Sequence, residues 1–216
     1  MNWVPAFAGM TKEVMSKTIV YIDGENTFFQ LFDSLRRKKL ARYREDLVKF
    51  DLVGLLEEVL GKIDNIEYRY YGARLKEIDT SEELLKRTQK MIDHKRRWSG
   101  FLSNQGVNFI SAGNLKIRNK NPSGEEADLT FVEKGIDVKM ATDLVVDAFS
   151  NDVKTAVIWS SDSDIQPAML AASKVGVHIT YLCHEERIND VLAGTASETK
   201  TINIDQIAEA FKRANS

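Results

Sequence analysis

The chain has almost no cysteine: Cys183 is the only one among 216 residues, so no internal disulfide can form. A protein without disulfides is typical of a reducing compartment, and we expect a cytoplasmic location. Apolar runs of about 18 residues, which a membrane-spanning helix needs, are also missing. We therefore expect no association with a membrane.

The sequence also lacks the short motifs of several enzyme classes. It contains no Gly-x-Ser-x-Gly elbow, no Walker loop and no Gly-x-Gly-x-x-Gly turn. Its three histidines, His94, His178 and His184, do not have the spacing of zinc ligands, and we interpret Cys183-His184 as structural. A large excess of charge is missing too, since the formal net charge is −2. Any contact with nucleic acid must therefore come from a local basic patch.

The chain does have a high apolar content, 43% of its residues, which is enough for one sizeable core. We predict a single domain over residues 16–216, preceded by a disordered extension over residues 1–15. The first dozen residues resemble a translated repeat element found at over-extended starts of bacterial reading frames. We therefore expect native translation to begin at Met15, the alternative being a genuine flexible tail.

Strand and helix patterns alternate along the chain, which predicts an α/β fold. Predicted strands cover residues 18–22, 66–71, 107–111, 155–159, 177–182 and 201–204. Predicted helices cover residues 26–39, 51–61, 80–102, 136–149, 165–174, 185–192 and 206–213. A turn-rich excursion spans 112–127, with a return strand over 129–132. The helix over 136–149 has an apolar stripe that we assign to Val138, Ala141, Val145, Ala148 and Phe149.

Two acidic motifs directly follow predicted strands: Asp23-Gly24-Glu25-Asn26 and Ser160-Ser161-Asp162-Ser163-Asp164. The carboxyl ends of parallel strands meet at the crevice where open α/β sheets bind ligands. Clustered carboxylates repel one another unless a cation lies among them, and oxygen ligands favour Mg²⁺ or Mn²⁺. The alternative is that these residues only cap the helices that follow.

A third acidic element surrounds the start of the helix over 136–149. Asp137 lies in the first turn, where the helix dipole favours an anion, and we expect it to face the sheet edge. Asp143 is a second candidate ligand, although it can instead pair with Lys139 one turn earlier.

Together, Asp23-Gly24-x-Asn26, Lys134-Gly135-Ile136-Asp137-Val138 with Asp143, and Ser161-Asp162-Ser163-Asp164 resemble the NYN domain family. That family includes the LabA-like proteins and is related to PIN-domain nucleases. The motifs come in the family's order, and the match covers about residues 18–183. The resemblance implies a three-layer, Rossmann-like (PIN-like) domain in which helices flank a mainly parallel central sheet. It also implies a Mg²⁺- or Mn²⁺-dependent ribonuclease site.

Carried over by position, the resemblance implies particular site residues. The catalytic set is Asp23, Asn26, Asp137, Asp162 and Asp164, and the metal ligands are Asp23, Asp137, Asp162 and Asp164 with Asp143 in support. We expect Asp23 and Asp162 to bind one ion directly, and Asp137 and Asp164 to bind through waters or to hold a second ion. Glu25 departs from the family pattern, since many relatives have a neutral residue there.

The expected function is metal-dependent endoribonuclease cleavage of single-stranded or structured RNA, in which a metal-activated water attacks phosphorus. Three basic segments are candidate RNA contacts, two of them with an aromatic residue inside. They are Arg36–Arg44 with Tyr43, His94–Trp98, and Lys116, Arg118 and Lys120 in the excursion. The alternative for each is a solvated surface.

Two other functions stay open. One is a non-catalytic NYN module that binds RNA or a regulatory partner. The other is a metal-dependent phosphatase, which would want an aspartate where Glu25 stands. An apolar patch on the long helix over 80–102 would be compatible with a homodimer.

Overall fold

The central strand of the fold is β1, Lys17–Asp23, in which five consecutive residues are buried. A run of Thr18-Ile19-Val20-Tyr21-Ile22 favours an extended strand because β-branched and aromatic side chains suit a pleated, covered surface. The computed structural model describes residues 16–79, 81–119, 129–150 and 152–216; between 114 and 133 it describes backbone alone.

Seven strands and seven helices make up the described part of the chain. The strands are β1 (Lys17–Asp23), β2 (Ile66–Arg74), β3 (Val107–Asn119), β4 (Leu129–Lys134), β5 (Val153–Trp159), β6 (His178–His184) and β7 (Glu198–Ile202). The helices are α1 (Gly24–Arg37), α2 (Leu52–Leu60), α3 (Glu82–Ser103), α4 (Ile136–Phe149), α5 (Gln166–Lys174), α6 (Asp190–Thr195) and α7 (Ile204–Asn215).

All seven strands form one sheet in the order β4-β3-β2-β1-β5-β6-β7. Six are parallel, and β4 alone runs antiparallel, at the edge beside β3. From β1 the chain first builds outward through β2 and β3, then crosses back to place β5 on the other side of β1. The strand order therefore reverses between β1 and β5, the position at which such sheets form a ligand crevice.

Helices cover both faces of the sheet, giving three layers. On one face α1, α2, α3 and α7 pack over Val20, Ile22 and Val157. On the other face α4, α5 and α6 pack over Ile19, Ala156 and Ile158. Because strands buried on both faces have no polar side, β1 and β5 read as continuous apolar runs. The predicted α/β class with a mainly parallel central sheet is confirmed.

Several predicted boundaries differ from the structure. β3 extends through the start of the expected excursion and pairs with β4, so the predicted return strand is confirmed. Residues 120–128 lie outside the described residues, as do residues 1–15, and the division of the chain at residue 15 stays a prediction. The core stripe of α4 consists of Ile136, Met140, Leu144 and Ala148, whereas Val138 and Phe149 are exposed.

The last quarter of the chain shows two further corrections. The helix predicted over 185–192 begins only at Asp190, because the Asn189 side chain accepts hydrogen bonds from the backbone N–H groups of Val191 and Leu192. The last strand is β7 over 198–202 rather than 201–204. The apolar pattern did not detect this strand because most of its residues are polar, and side chains of an edge strand can be exposed. Among the described helices, none combines the length and the apolar character that a bilayer crossing needs.

Candidate active site at the carboxyl edge of the sheet

The two acidic motifs lie side by side in space, where β1 and β5 end. These strands are neighbours in the sheet, with Ile22 paired to Trp159. Asp23 is the last residue of β1, and Ser160 directly follows β5. The parallel pairing of β1 with β5 thus brings together two motifs that lie more than a hundred residues apart in sequence.

Asp23 caps the N-terminus of α1, as the capping alternative predicted, but it does more than that. Its Oδ1 accepts the backbone N–H of Asn26 at 3.2 Å, and its Oδ2 accepts the hydroxyl of Ser160 at 3.1 Å. Burial raises the pKa of Asp23 to about 6, and the nearby charges of Asp162 and Glu25 add to this rise. The two hydrogen bonds act in the opposite direction and lower the pKa, but they do not outweigh burial. Asp23 therefore holds its proton to a higher pH than an ordinary aspartate.

Asn26 joins the first turn of α1 to the loop after β5. Its Nδ2 donates to the Ser161 hydroxyl at 2.6 Å, and its Oδ1 accepts from Gln30 Nε2 at 2.5 Å. From the other side, Asn189 Nδ2 donates to the Ser161 carbonyl at 3.0 Å. Neutral amides fix this loop without adding charge beside the carboxylates.

The loop after β5 is a tight turn that exposes two carboxylates. The backbone N–H of Asp162 donates to the Ser160 hydroxyl at 3.1 Å, and Asp162 Oδ1 accepts the N–H of Asp164 at 3.0 Å. A single 3₁₀ turn over Ser163–Ile165 then leads into α5. Asp162 thus acts as a cap through one oxygen, while its side chain and that of Asp164 stay exposed to solvent.

Asp137 completes a trio of carboxylates with Asp162 and Asp164. Each of the three offers an oxygen, and these oxygens lie within 4.8 Å of one another. Asp137 stands in the first turn of α4, which begins after Gly135 in the left-handed conformation, φ 85°. We name Asp137, Asp162 and Asp164 the carboxylate trio. It brings three of the predicted ligands together, with Asp23 on the other side of Ser160.

Asp143 lies elsewhere on α4 and has protein partners. It forms an ion pair with Lys139, the alternative that the spacing had left open, and accepts a hydrogen bond from the Tyr71 hydroxyl at 3.1 Å. The trio, found among the described residues, does not include it. Its contacts fasten α4 to the sheet.

A model of the NYN domain matches residues 17–204, which is most of the chain. The chain belongs to the NYN domain family. The match confirms the family that the three motifs had indicated, and the NYN family is nuclease-like, related to PIN domains, and usually dependent on divalent metal ions.

Among solved structures, the NYN chain resembles a protein of unknown function from Vibrio parahaemolyticus. The TM-score is 0.55 at 14% identity, and the alignment covers 92% of this chain and 98% of that one. A likeness at this identity supports the fold and nothing further. No curated protein matches the chain.

Gly24, the glycine of the first motif, is needed for close packing against β2. A Cβ on Gly24 would lie 2.3 Å from the Tyr71 carbonyl oxygen and 2.4 Å from Tyr70 Cε1. The Tyr70 hydroxyl also donates to the Gly24 carbonyl at 2.7 Å. The glycine is required because α1 begins directly against β2.

Glu25, the departure from the NYN pattern, points to the surface. It pairs with Arg44 at 3.0 Å, and about half of each side chain is exposed. An ion pair with a surface arginine leaves Glu25 poorly placed as the second catalytic acid that the phosphatase alternative required.

Part of the predicted basic segments is engaged within the protein, whereas Arg36, Lys39, Arg96 and Arg97 are exposed. Arg37 pairs with Glu186 and Lys38 with Asp205. Trp98 is 3% exposed and packs edge-on against Phe28 and Tyr70, so it is not available to a base. The side chains of Lys116 and Arg118, and all of Lys120, lie outside the described residues.

Sequence reasoning missed part of the lining of a cleft that opens beside Asp23. Its volume is about 360 Å³, and it is lined by Asp23, Glu25, Asn26, Phe29, Gln30, Ser161 and Arg187. Phe29 carried a usable signal: in the pair Phe28-Phe29 one side chain faces the core, so the other must turn outward. Arg187 carried no such signal in the sequence, since it lies in the turn after β6.

Proposed function

We propose that this NYN protein is a metal-dependent endoribonuclease whose active site is the carboxylate trio together with Asp23. The observation that carries the proposal is the convergence of Asp137, Asp162 and Asp164 at the point where the strand order reverses. Three carboxylates drawn from α4 and the β5–α5 turn have no structural need to meet. Their mutual repulsion costs free energy unless a cation offsets it.

The donor set fits a hard divalent cation. All three side chains offer oxygen, and the described residues bring no histidine or cysteine into the trio. Mg²⁺ and Mn²⁺ prefer such ligands, with the remaining positions filled by water and phosphate oxygens. A site open to solvent at Asp162 and Asp164 leaves room for both. We accordingly assign direct binding of one ion to the trio, and place Asp23 beside it.

Each residue then has a separate task. A divalent ion held by the trio would activate a water and offset charge on the phosphate oxygens. Asp23 stands next to Ser160 and Asp162, and its raised pKa suits it to accept a proton from the attacking water. Asn26 and Asn189 hold Ser161, and with it the turn that carries Asp162, in place.

The test is cleavage of end-labelled RNA, both single-stranded and hairpin, with Mn²⁺, Mg²⁺ or EDTA. We expect cleavage by the wild-type protein with metal, and a loss of at least about a hundredfold in Asp162→Asn and Asp164→Asn, because each removes a charged ligand. Internal products distinguish an endonuclease from an exonuclease.

Asp93→Asn is the matched control, since Asp93 is an exposed carboxylate on α3, outside the trio. It should cut RNA like the wild type. Cleavage that persists in EDTA, or that survives both trio substitutions, would refute the metal mechanism. RNA binding without any cleavage would favour the non-catalytic module instead.

A further inference from the structure

An exposed aromatic side chain stands at the rim of the cleft. Phe29 follows the buried Phe28 on α1, yet 48% of its surface is exposed. Single exposed apolar side chains are common on protein surfaces, and Phe29 is informative because it lines the cleft beside Asp23.

Arg187 lies over the Phe29 ring, so that its guanidinium covers one face of that ring. Its guanidinium carbon lies 5.2 Å from the centre of the Phe29 ring. Asp33, one turn after Phe29 on α1, accepts a hydrogen bond from Arg187 at 2.9 Å and holds the guanidinium there. The backbone N–H of Arg187 donates to the His184 carbonyl at 2.8 Å, which fixes the turn that presents it. Phe29 and Arg187 together are the stacking shelf.

The cleft lining also includes three neutral polar side chains, those of Asn26, Gln30 and Ser161. Gln30 is 3% exposed, and within the described residues its Oε1 accepts no hydrogen bond. A buried acceptor without a donor is costly, and the Gln30 amide adds a neutral polar group to the cleft lining.

The charges around the cleft decide what kind of group enters. Of the charged side chains that line it, Glu25 is paired with Arg44 and Arg187 with Asp33, while Asp23 has no cationic partner among the described residues. The lining therefore offers a phosphate no net attraction. A flat, uncharged ring with N–H groups needs no such attraction. The aromatic face and the guanidinium plane are the two surfaces on which nucleic-acid bases stack.

We propose that the stacking shelf binds one nucleobase of the substrate strand, next to the phosphate that the carboxylate trio receives. This inference rests on the proposed ribonuclease function and adds to it a subsite that sets where the strand is cut. Phe29 and Arg187 are binding and positioning residues in this scheme. They stack on a base and touch no reacting atom.

The experiment measures equilibrium binding of a fluorescein-labelled octaribonucleotide in EDTA, where no cleavage can occur, by fluorescence anisotropy. Eight versions of the oligonucleotide each replace one nucleoside by an abasic ribose. We expect one abasic position to weaken binding to the wild type by about tenfold, the effect of losing one stacked base. In Phe29→Ala that position should no longer stand out, because the shelf is already lost.

Two variants make the result specific. Phe29→Tyr keeps an aromatic face and should restore the abasic effect. Phe149→Ala removes another exposed phenylalanine, 61% exposed at the far end of α4, and should leave the abasic effect unchanged. Thermal melts of all three variants establish that they are folded.

The outcomes separate the two proposals. If RNA binds and is cut by the wild type but Phe29→Ala shows the same abasic profile, the stacking shelf is refuted and the nuclease stands. If the wild type neither binds nor cuts RNA, both proposals fall. A shifted cleavage position in Phe29→Ala, at the same metal dependence, would support the shelf independently of the binding data.

Discussion

At the scale of single residues, Asp23 combines a structural contact with a shifted protonation equilibrium. It caps α1, receives the Ser160 hydroxyl, and is buried enough to raise its pKa to about 6. Burial disfavours the charged form, so Asp23 is less stable as an anion in the native protein than in the unfolded chain. The capping and ligand hypotheses are therefore compatible at this position.

The raised pKa gives a pH-dependent prediction for metal-free protein. Between about pH 4 and pH 6 native Asp23 holds a proton that the unfolded chain has released, so the free energy of unfolding falls as pH rises. Asp23→Asn keeps the cap but cannot ionise. We expect it to be more stable than the wild type by about 2 kcal/mol at pH 7.5, and by much less at pH 4.5.

Urea denaturation in EDTA at the two pH values measures that difference. Asp93→Asn, an exposed carboxylate changed in the same way, should show a small difference from the wild type that varies little with pH. If Asp23→Asn differed from the wild type by the same free energy of unfolding at both pH values, the raised pKa of Asp23 would be contradicted.

At the scale of elements, α4 matters because it carries Asp137 into the trio. Tyrosines from the sheet hold it: the Tyr21 hydroxyl donates to Asp147 at 2.7 Å, and the Tyr71 hydroxyl donates to Asp143. Arg69 on β2 adds an ion pair with Asp147 at 2.5 Å and another with Glu67 at 2.6 Å. Burial and the Asp147 carboxylate together raise the pKa of Tyr21, so the phenol remains a donor.

Arg69→Met should therefore destabilise the protein by about 2–3 kcal/mol, since it leaves the largely covered Asp147 without an ion-pair partner among the described residues and Glu67 with Lys17 alone. The Arg69 hydrogen bond holds the Glu67 pKa down at about 2, and the variant should lose that effect. Chemical denaturation at pH 7 checks the stability change.

Lys86→Met supplies the comparison, because Lys86 pairs with Glu82 on the open surface of α3. A solvent-exposed pair contributes little, so this variant should change stability by less than about 0.5 kcal/mol. Equal effects of the two substitutions would show that the Arg69 network does not anchor α4.

At the scale of the whole molecule, the trio connects two parts of the chain. Asp137 comes from α4, while Asp162 and Asp164 come from the turn after β5. A ligand that binds only the folded arrangement stabilises it by about 2.7 kcal/mol at one hundred times its Kd. For a chain of this length that corresponds to a rise in Tm of roughly 5–10 °C.

We thus expect Mn²⁺ to raise the Tm of the wild type in a concentration-dependent way. Asp137→Asn should lose most of the rise. Asp205→Asn, which changes an exposed carboxylate paired with Lys38, should keep it. Differential scanning calorimetry with and without EDTA gives the answer, and an unchanged Tm for the wild type at millimolar Mn²⁺ would argue against a metal site.

Oligomeric state belongs to the same scale and stays a prediction. The homodimer hypothesis placed an apolar patch on the long helix α3. Among the described residues, the large exposed apolar side chains lie elsewhere, including Val138, Val146 and Phe149 on α4.

The sequence by itself determined the buried strands, the fold class and the family. Thr18–Ile22 and Ala156–Trp159 are apolar because their strands are covered on both faces, and that pattern is local. It also determined that aspartates follow β1 and β5, since each motif directly follows its strand. Edge strand β7 and the start of α6 were misjudged because exposed, polar segments carry little periodic signal.

Only the tertiary structure decided which side chains meet. The sequence-based assignment of Asp23 and Asp162 to one ion stays a prediction, and the fold places oxygens of Asp137, Asp162 and Asp164 within 4.8 Å of one another. It also turned Asp143 toward Tyr71 and placed Arg187 over Phe29. These contacts depend on strand order and helix rotation, which arise from packing across the whole sheet and leave no mark in the spacing of residues along the chain.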